Sequence, residues 1–160
     1  MKAFKRRIYR SLGEVLTDFR AIWARRDLVR EAMGDAGLDP AFRERLMLVV
    51  TGVNGCRYCS YAHAREALAE GIAQDEIDAL EAGMFEGSPR EEVPALLYAQ
   101  HWAEADGEPD PAVREQVERR YGARTLARIE IALRMIRMGN LLGNTFDYVL
   151  YLATFGRWGR

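Results

Sequence analysis

The sequence has few cysteines and histidines, and three of these residues are concentrated in one place. Its 160 residues include two cysteines and two histidines, and both cysteines and one histidine lie in NGCRYCSYAH, residues 54–63. Two cysteines cannot build a disulfide framework, so we expect a chain of this length to be stabilised by an ordinary hydrophobic core. The formal net charge is −1, so the composition gives no argument for binding nucleic acid or an anionic membrane.

Long uninterrupted hydrophobic runs are also missing. The basic start, residues 1–16, has no continuous apolar segment and does not resemble a secretory signal, so we expect a cytoplasmic protein. The most apolar stretch, residues 138–155, contains Asn140, Asn144 and Asp147, which a bilayer interior would penalise. We therefore interpret it as a buried helix whose polar groups form hydrogen bonds between helices or subunits, with a substrate pocket as the alternative.

The spacing of apolar positions and helix breakers predicts an all-α protein. We find no convincing run of alternating β-branched residues, and SPRE at residues 88–91 matches a capping box. We predict one all-α domain over residues 1–160, with a core motif region at 39–83. Helices are expected at residues 4–23, 40–53, 56–70, 75–82, 89–105 and 111–121, and a long apolar C-terminal helix at about 124–154.

The cysteine pair and a histidine are spaced for dithiol chemistry. If Cys56 begins a helix that turns about 100° per residue, then Cys56, Cys59 and His63 project from one face. A helix N-terminus favours the thiolate, which is the attacking form of cysteine, and an imidazole can accept a thiol proton. The helix dipole favours Cys56 as the nucleophile, whereas proximity to His63 favours Cys59, so the residues alone leave this assignment open.

Glu44 extends the pattern to Glu-x11-Cys-x2-Cys-x3-His. The break at Asn54-Gly55 can fold the preceding helix back, so that Glu44 approaches His63 and orients its ring. This pattern lies in RERLMLVVTGVNGCRYCSYAHAREALAEGIAQDEI, residues 43–77, which resembles the core of the alkyl hydroperoxidase D-like branch of the carboxymuconolactone decarboxylase family. The resemblance covers about half of the chain, and the spacing of four functional residues makes it specific.

The resemblance implies an all-helical bundle of about six to eight helices that assembles into trimers or hexamers. It implies reduction of small hydroperoxides without a bound cofactor, the cysteines being recharged by an external dithiol donor of the lipoyl or thioredoxin-like type. By the same resemblance Cys59 attacks the peroxide, Cys56 resolves the sulfenic acid, and His63 and Glu44 form the proton relay. Peroxidase members carry a second histidine where this chain has Tyr58, which is a poor base.

Other interpretations of the same residues remain. The cysteines are either inert core thiols or, with His63 and either Glu44 or His101, ligands of zinc, although structural zinc sites commonly use a second ligand pair that is missing here. A non-redox enzyme on this scaffold would use His63 or Glu44 as the base on a small carbonyl or lactone. A non-catalytic redox sensor is the third alternative. The cysteine pair argues against decarboxylation, because the members named for that reaction lack it.

Overall fold

The protein is all-helical, as predicted. The computed structural model describes residues 4–34 and 37–159, and within these ranges it contains eight helices and no strand. The helices are α1 Leu12–Trp23, α2 Arg26–Met33, α3 Pro40–Asn54, α4 Arg57–Ala69, α5 Gln74–Glu81, α6 Val93–Glu104, α7 Pro111–Tyr121 and α8 Ala123–Ala153.

Helix α3 lies at the centre of the molecule and positions the cysteine region. It packs against α4, α5, α6 and α8. Four consecutive apolar positions, residues 47–50, are all buried, so α3 is apolar on more than one face, as expected of a helix surrounded by others. The long helix α8 contributes Ile129 and Leu133 to the same core, and α6 contributes Trp102.

The boundary between α3 and α4 is set by local sequence. Asp39 caps the start of α3, because its carboxylate accepts a hydrogen bond of 3.0 Å from the backbone N–H of Phe42. At the other end, Gly55 has φ +70°, a left-handed conformation that glycine adopts without strain. Cys56 follows directly as the N-cap of α4. The predicted break therefore exists, and a single turn carries the chain from Glu44's helix to the cysteine helix.

The N-terminal segment differs from the expected amphipathic helix over residues 4–23. Helix α1 begins only at Leu12, and residues 4–11 form an irregular arm. One reason is local: the hydroxyl of Ser11 accepts from the backbone N–H of Glu14 at 3.2 Å, which starts the helix there. The arm lies on α8, where the side-chain amide of Asn144 donates to the carbonyl of Arg7 at 3.0 Å.

One further expectation was wrong, and one helix was not foreseen. The capping box at residues 88–91 does not start a helix, because the Ser88 hydroxyl donates to Glu76 at 3.0 Å and α6 begins only at Val93. Helix α2 was not predicted. It is short and highly charged, and ion pairs from Arg124 and Arg128 of α8 to its Glu31 hold it in place.

Polar residues of α8 form hydrogen bonds between helices, as predicted. The Asn140 amide donates to the Thr51 hydroxyl and its carbonyl oxygen accepts from Asn54, both at 3.1 Å, and the Asn144 amide donates to the Asn54 carbonyl at 2.8 Å. These bonds join α8 to the last turn of α3, immediately before Cys56. No helix within residues 4–34 and 37–159 has both the length and the apolar character needed to cross a bilayer.

Replacing Gly52 by alanine should destabilise the fold by about 2–3 kcal/mol, because α3 and α5 touch there without room for a side chain. A Cβ at this position would lie 2.2 Å from the Glu81 carbonyl oxygen and 2.8 Å from its Cα, and neither backbone atom can move freely. Urea unfolding measures the change. Gly139→Ala in α8 is the matched control, since a Cβ there meets nothing within 4 Å and should leave stability unchanged or slightly raised.

Candidate active site

The two cysteines form a disulfide at the start of α4. Their Cα atoms are 5.4 Å apart, and the backbone N–H of Cys59 donates to the sulfur of Cys56 at 3.3 Å. Cys56 is 1% exposed, whereas Cys59 is partly exposed. The sulfur of Cys59 is therefore the more accessible of the two to a molecule from solvent.

Helix α8 covers Cys56. A Cβ at Gly143 would lie 2.9 Å from the Cys56 sulfur and 3.6 Å from a ring carbon of Tyr58. The contact with the sulfur is tighter than side chains normally make, so a larger residue at position 143 would require α8 or the disulfide to shift. Gly143 lies within the helix that runs from Ala123 to Ala153 and provides the space for the sulfur.

Glu44 and His63 are in direct contact. His63 Nδ1 lies 2.7 Å from Glu44 Oε2, and Arg43 lies 3.6 Å from the other carboxylate oxygen. Glu44 is buried and the His63 side chain is 22% exposed. A carboxylate can only accept, so Nδ1 carries the proton and Nε2 of the neutral ring is free to accept one. This is the geometry in which a carboxylate orients an imidazole as a base.

On the other side of the disulfide, the residues between the cysteines bind a buried carboxylate. Asp147 Oδ1 accepts from Arg57 at 2.8 Å and from the Tyr58 hydroxyl at 2.9 Å. Asp147 Oδ2 accepts from Arg6 of the arm at 2.7 Å. Burial raises the pKa of Asp147, but the hydrogen bonds from Arg6, Tyr58 and Arg57 outweigh it, so that the pKa lies below its usual value of 3.8.

Part of this cluster was not predicted. Asp147 stands out in the sequence as a polar residue in an apolar helix and Tyr58 as a departure from the family pattern, but nothing in the sequence connects them. Arg6 and Arg57 carried no signal, because isolated arginines in a chain with 21 of them resemble surface residues. The signal that could have led to these arginines was Asp147 itself, because a buried carboxylate needs cationic partners.

The structure does not assemble the proposed zinc ligands. His101 accepts a hydrogen bond of 3.0 Å from the backbone N–H of Asp110 at the start of α7, outside the cysteine region. Over residues 4–34 and 37–159, no group of three or more histidine, cysteine, aspartate or glutamate side chains is arranged to hold a metal ion. The sulfurs of Cys56 and Cys59 are instead bonded to each other.

Fold and site together define an all-helical protein with a disulfide-bonded cysteine pair at the start of α4 and a carboxylate–histidine pair that joins α3 to α4. The chain belongs to the carboxymuconolactone decarboxylase family, whose family model matches residues 20–105, more than half of its length. The matched range includes α3 and α4 and with them Glu44, Cys56, Cys59 and His63. No curated protein and no solved structure matched the chain.

Proposed function

We propose that this protein is a cysteine-based hydroperoxide reductase and thiol–disulfide oxidoreductase. The observation that carries the proposal is the Cys56–Cys59 disulfide one helical turn from His63, which Glu44 orients through a 2.7 Å hydrogen bond. Family membership alone does not select this activity, because the family includes decarboxylases. The cysteine pair favours redox chemistry, as it supplies both the attacking and the resolving sulfur.

The proposed reaction begins at Cys59, the more accessible cysteine. His63 first takes the proton of the Cys59 thiol, and the resulting thiolate attacks the terminal oxygen of a small hydroperoxide. The O–O bond breaks, and the protonated His63 returns that proton to the leaving alkoxide to give an alcohol. Cys59 is then a sulfenic acid. The Cys56 thiol attacks its sulfur, a disulfide forms, and the displaced hydroxide leaves as water with the thiol proton. Each cycle thus reduces one peroxide by two electrons.

The cycle closes with an external dithiol. A donor of the lipoyl or thioredoxin-like type gives two electrons to the disulfide, becomes a disulfide itself, and restores both thiols. No bound cofactor is needed in this scheme, and a reducing, cytoplasmic location suits it.

Tyr58 limits the proton chemistry of the site. Its hydroxyl donates to Asp147 and accepts from Arg57 at 2.9 Å, so it is already paired on both sides. It therefore does not substitute for a second histidine as a base. We expect thiol–disulfide exchange to be less affected by this residue than the rate of peroxide reduction.

A peroxide-consumption assay with several dithiols tests the function. Dithiothreitol, dihydrolipoamide and a thioredoxin system are supplied in turn to the wild type and to the variant with both cysteines replaced by serine. We expect consumption by the wild type only, and loss of two hydrogen masses when the reduced protein meets peroxide. If no donor supports consumption, the proposal fails. Conversion of small lactones or carbonyl compounds by the double variant would favour the non-redox alternative.

We also propose that the protein is a homo-oligomer, a trimer or hexamer. Helix α1 buries none of its residues, although Leu12, Leu16, Phe19 and Trp23 form an apolar stripe. Near the cysteines, α8 exposes Leu142, Phe146 and Val149 in the same way. Apolar surface of this extent in a single chain is typical of an interface.

Light scattering should give a multiple of the 18.2 kDa chain mass. Phe146→Glu should shift the population towards a smaller species, because it places a charge in an apolar interface. Leu97→Glu is the control, since Leu97 is a similarly exposed residue on α6. A wild type that is monomeric at micromolar concentration would contradict the proposal.

A further inference from the structure

A buried carboxylate on α8 is bonded to both residues inside the disulfide loop. The side chain of Asp147 is 0% exposed, and its Oδ1 accepts from Arg57 and Tyr58, the only residues between the cysteines. Arg6 of the N-terminal arm binds the other oxygen and also donates to the Gly159 carbonyl at 2.5 Å. Three separate parts of the chain thus meet at one carboxylate.

This cluster lies against the redox sulfur. Gly143, whose missing side chain makes room for Cys56, lies one helical turn before Asp147 on the same face of α8. One turn is about 5.4 Å along the axis. From the other side, the stem of Arg6 packs on Gly55, where a Cβ would lie 3.2 Å from the Arg6 Cγ. The charges of Arg6 and Asp147 are therefore held close to Cys56.

The cluster carries unbalanced charge. Two guanidinium groups face one carboxylate, and hydrogen bonding keeps Asp147 in its charged form. A nearby cation stabilises a thiolate and a nearby anion destabilises it. The other titratable groups beside the cysteines are His63, one turn beyond Cys59 on α4, and its partner Glu44 on α3; among the described residues no hydrogen bond or ion pair joins them to this cluster.

We propose that Asp147 is a positioning residue that sets how readily the Cys56–Cys59 disulfide is reduced. It holds Arg57 and Tyr58 of α4 against α8, and it places its negative charge beside Cys56. The inference rests on the proposed thiol–disulfide function of the site. In the reaction concerned, a dithiol gives two electrons and becomes a disulfide. Of its two protons, one stays on a protein thiol and one goes to solvent, which leaves a thiol and a thiolate in the reduced protein.

The proposal predicts opposite effects for two substitutions. Asp147→Asn removes the anion but retains an oxygen that Arg57 and Tyr58 can bind, so the thiolate is favoured and the disulfide is reduced more readily. Arg57→Gln removes a cation from the loop, so the thiolate is disfavoured and reduction becomes harder. A purely structural role would move both variants in the same direction or neither.

The equilibrium with reduced and oxidised dithiothreitol measures this directly, with trapped thiols counted by mass spectrometry. We expect the equilibrium constant for reduction to rise about threefold to tenfold in Asp147→Asn and to fall by a similar factor in Arg57→Gln. A tenfold change corresponds to about 30 mV. At neutral pH, alkylation of the reduced protein by iodoacetamide should change in the same directions.

Asp18→Asn is the matched control. The Asp18 carboxylate also accepts from a tyrosine hydroxyl, that of Tyr9, and from an arginine, Arg137, both at 2.6 Å, but it touches neither cysteine nor their neighbours. Its equilibrium constant should equal that of the wild type. If Asp147→Asn does not fold, the shift in Arg57→Gln decides, because that side chain is half exposed.

Any of three results would overturn the inference. The first is a shift in Asp18→Asn as large as that in the test variants, the second is a shift of the same sign in Asp147→Asn and Arg57→Gln, and the third is no shift in Arg57→Gln. This outcome is separable from the proposed function, because the equilibrium does not involve peroxide. Opposite shifts without peroxide consumption would support the role of Asp147 and reject the peroxidase. Peroxide consumption without these shifts would support the peroxidase and reject the role of Asp147.

Discussion

Replacement of Cys59 by serine should abolish dithiol-dependent peroxide consumption, whereas replacement of Cys56 should leave one oxidation per chain without turnover. The physical reason is the division of roles between the sulfurs. Cys59 is accessible and shares a helix face with His63, while Cys56 is buried beneath Gly143 of α8. A hydroxyl at position 59 is a far weaker nucleophile than a thiolate at neutral pH, so we expect a loss of at least about a thousandfold.

The Cys56→Ser variant tests the second half of this prediction. Without a resolving thiol, the sulfenic acid on Cys59 should persist long enough to be trapped by dimedone, and the first turnover should proceed at nearly the wild-type rate. Stopped-flow peroxide consumption and mass spectrometry measure both. If dimedone instead labels Cys56 in the Cys59→Ser variant, and that variant completes the fast oxidation, the two roles are exchanged.

Loss of folding is not expected to confuse these results. The disulfide closes a loop of four residues, so removing it costs about 2 kcal/mol in the chain-entropy account. Ser60→Ala serves as a control, because residue 60 lies next to Cys59 on α4 and none of the hydrogen bonds of the site uses its hydroxyl. This variant should retain full activity and show that a change at the helix start is tolerated.

The second large effect is expected at the carboxylate–histidine pair. His63→Gln should lower kcat/KM for hydroperoxide about a hundredfold to a thousandfold, because it removes the group that manages the thiol and leaving-group protons. Glu44→Gln should lower it about tenfold to a hundredfold. Glutamine retains the size of Glu44, but its neutral amide no longer stabilises the protonated imidazole or enforces one tautomer.

Steady-state kinetics with a fixed dithiol measures both substitutions. Glu66→Gln is the matched control, because Glu66 lies one turn beyond His63 on α4 and is exposed. Its effect should be less than about twofold. If Glu44→Gln behaved like this control, the 2.7 Å contact would be structural only. If His63→Gln kept full activity, the proton relay would have to be reassigned.

Local chemistry explains why much of the fold was predictable. The caps at Asp39 and Gly55 act on the backbone within four residues of themselves, so their effect can be recognised in the sequence. The same is true of the spacing of Cys56, Cys59 and His63, which a regular helix converts into a shared face. Helix α3, the start of α4 and the proximity of the two cysteines could be inferred for this reason.

Competition between distant groups explains what was missed. Ser88 is a potential helix cap, but its hydroxyl donates a hydrogen bond to Glu76 of α5, and nothing near residue 88 in the sequence indicates this. Phe4 and Ile8 continue the helical spacing of α1, yet the Ser11 cap and the contacts of the arm with α8 keep the arm out of the helix. Periodicity describes one segment and does not include these competitors.

From the sequence alone came the helical class, the family resemblance and the four residues Glu44, Cys56, Cys59 and His63, because each depends on residue type and spacing along one or two neighbouring helices. The tertiary structure decided which charges surround the disulfide. Asp147 is 91 positions from Cys56 in the chain and Arg6 is 50 positions before it, and only the packing of α8 and the arm brings them together. Electrostatic energy depends on the distances between charges in space, so the charges that act on the disulfide cannot be identified from the order of residues alone.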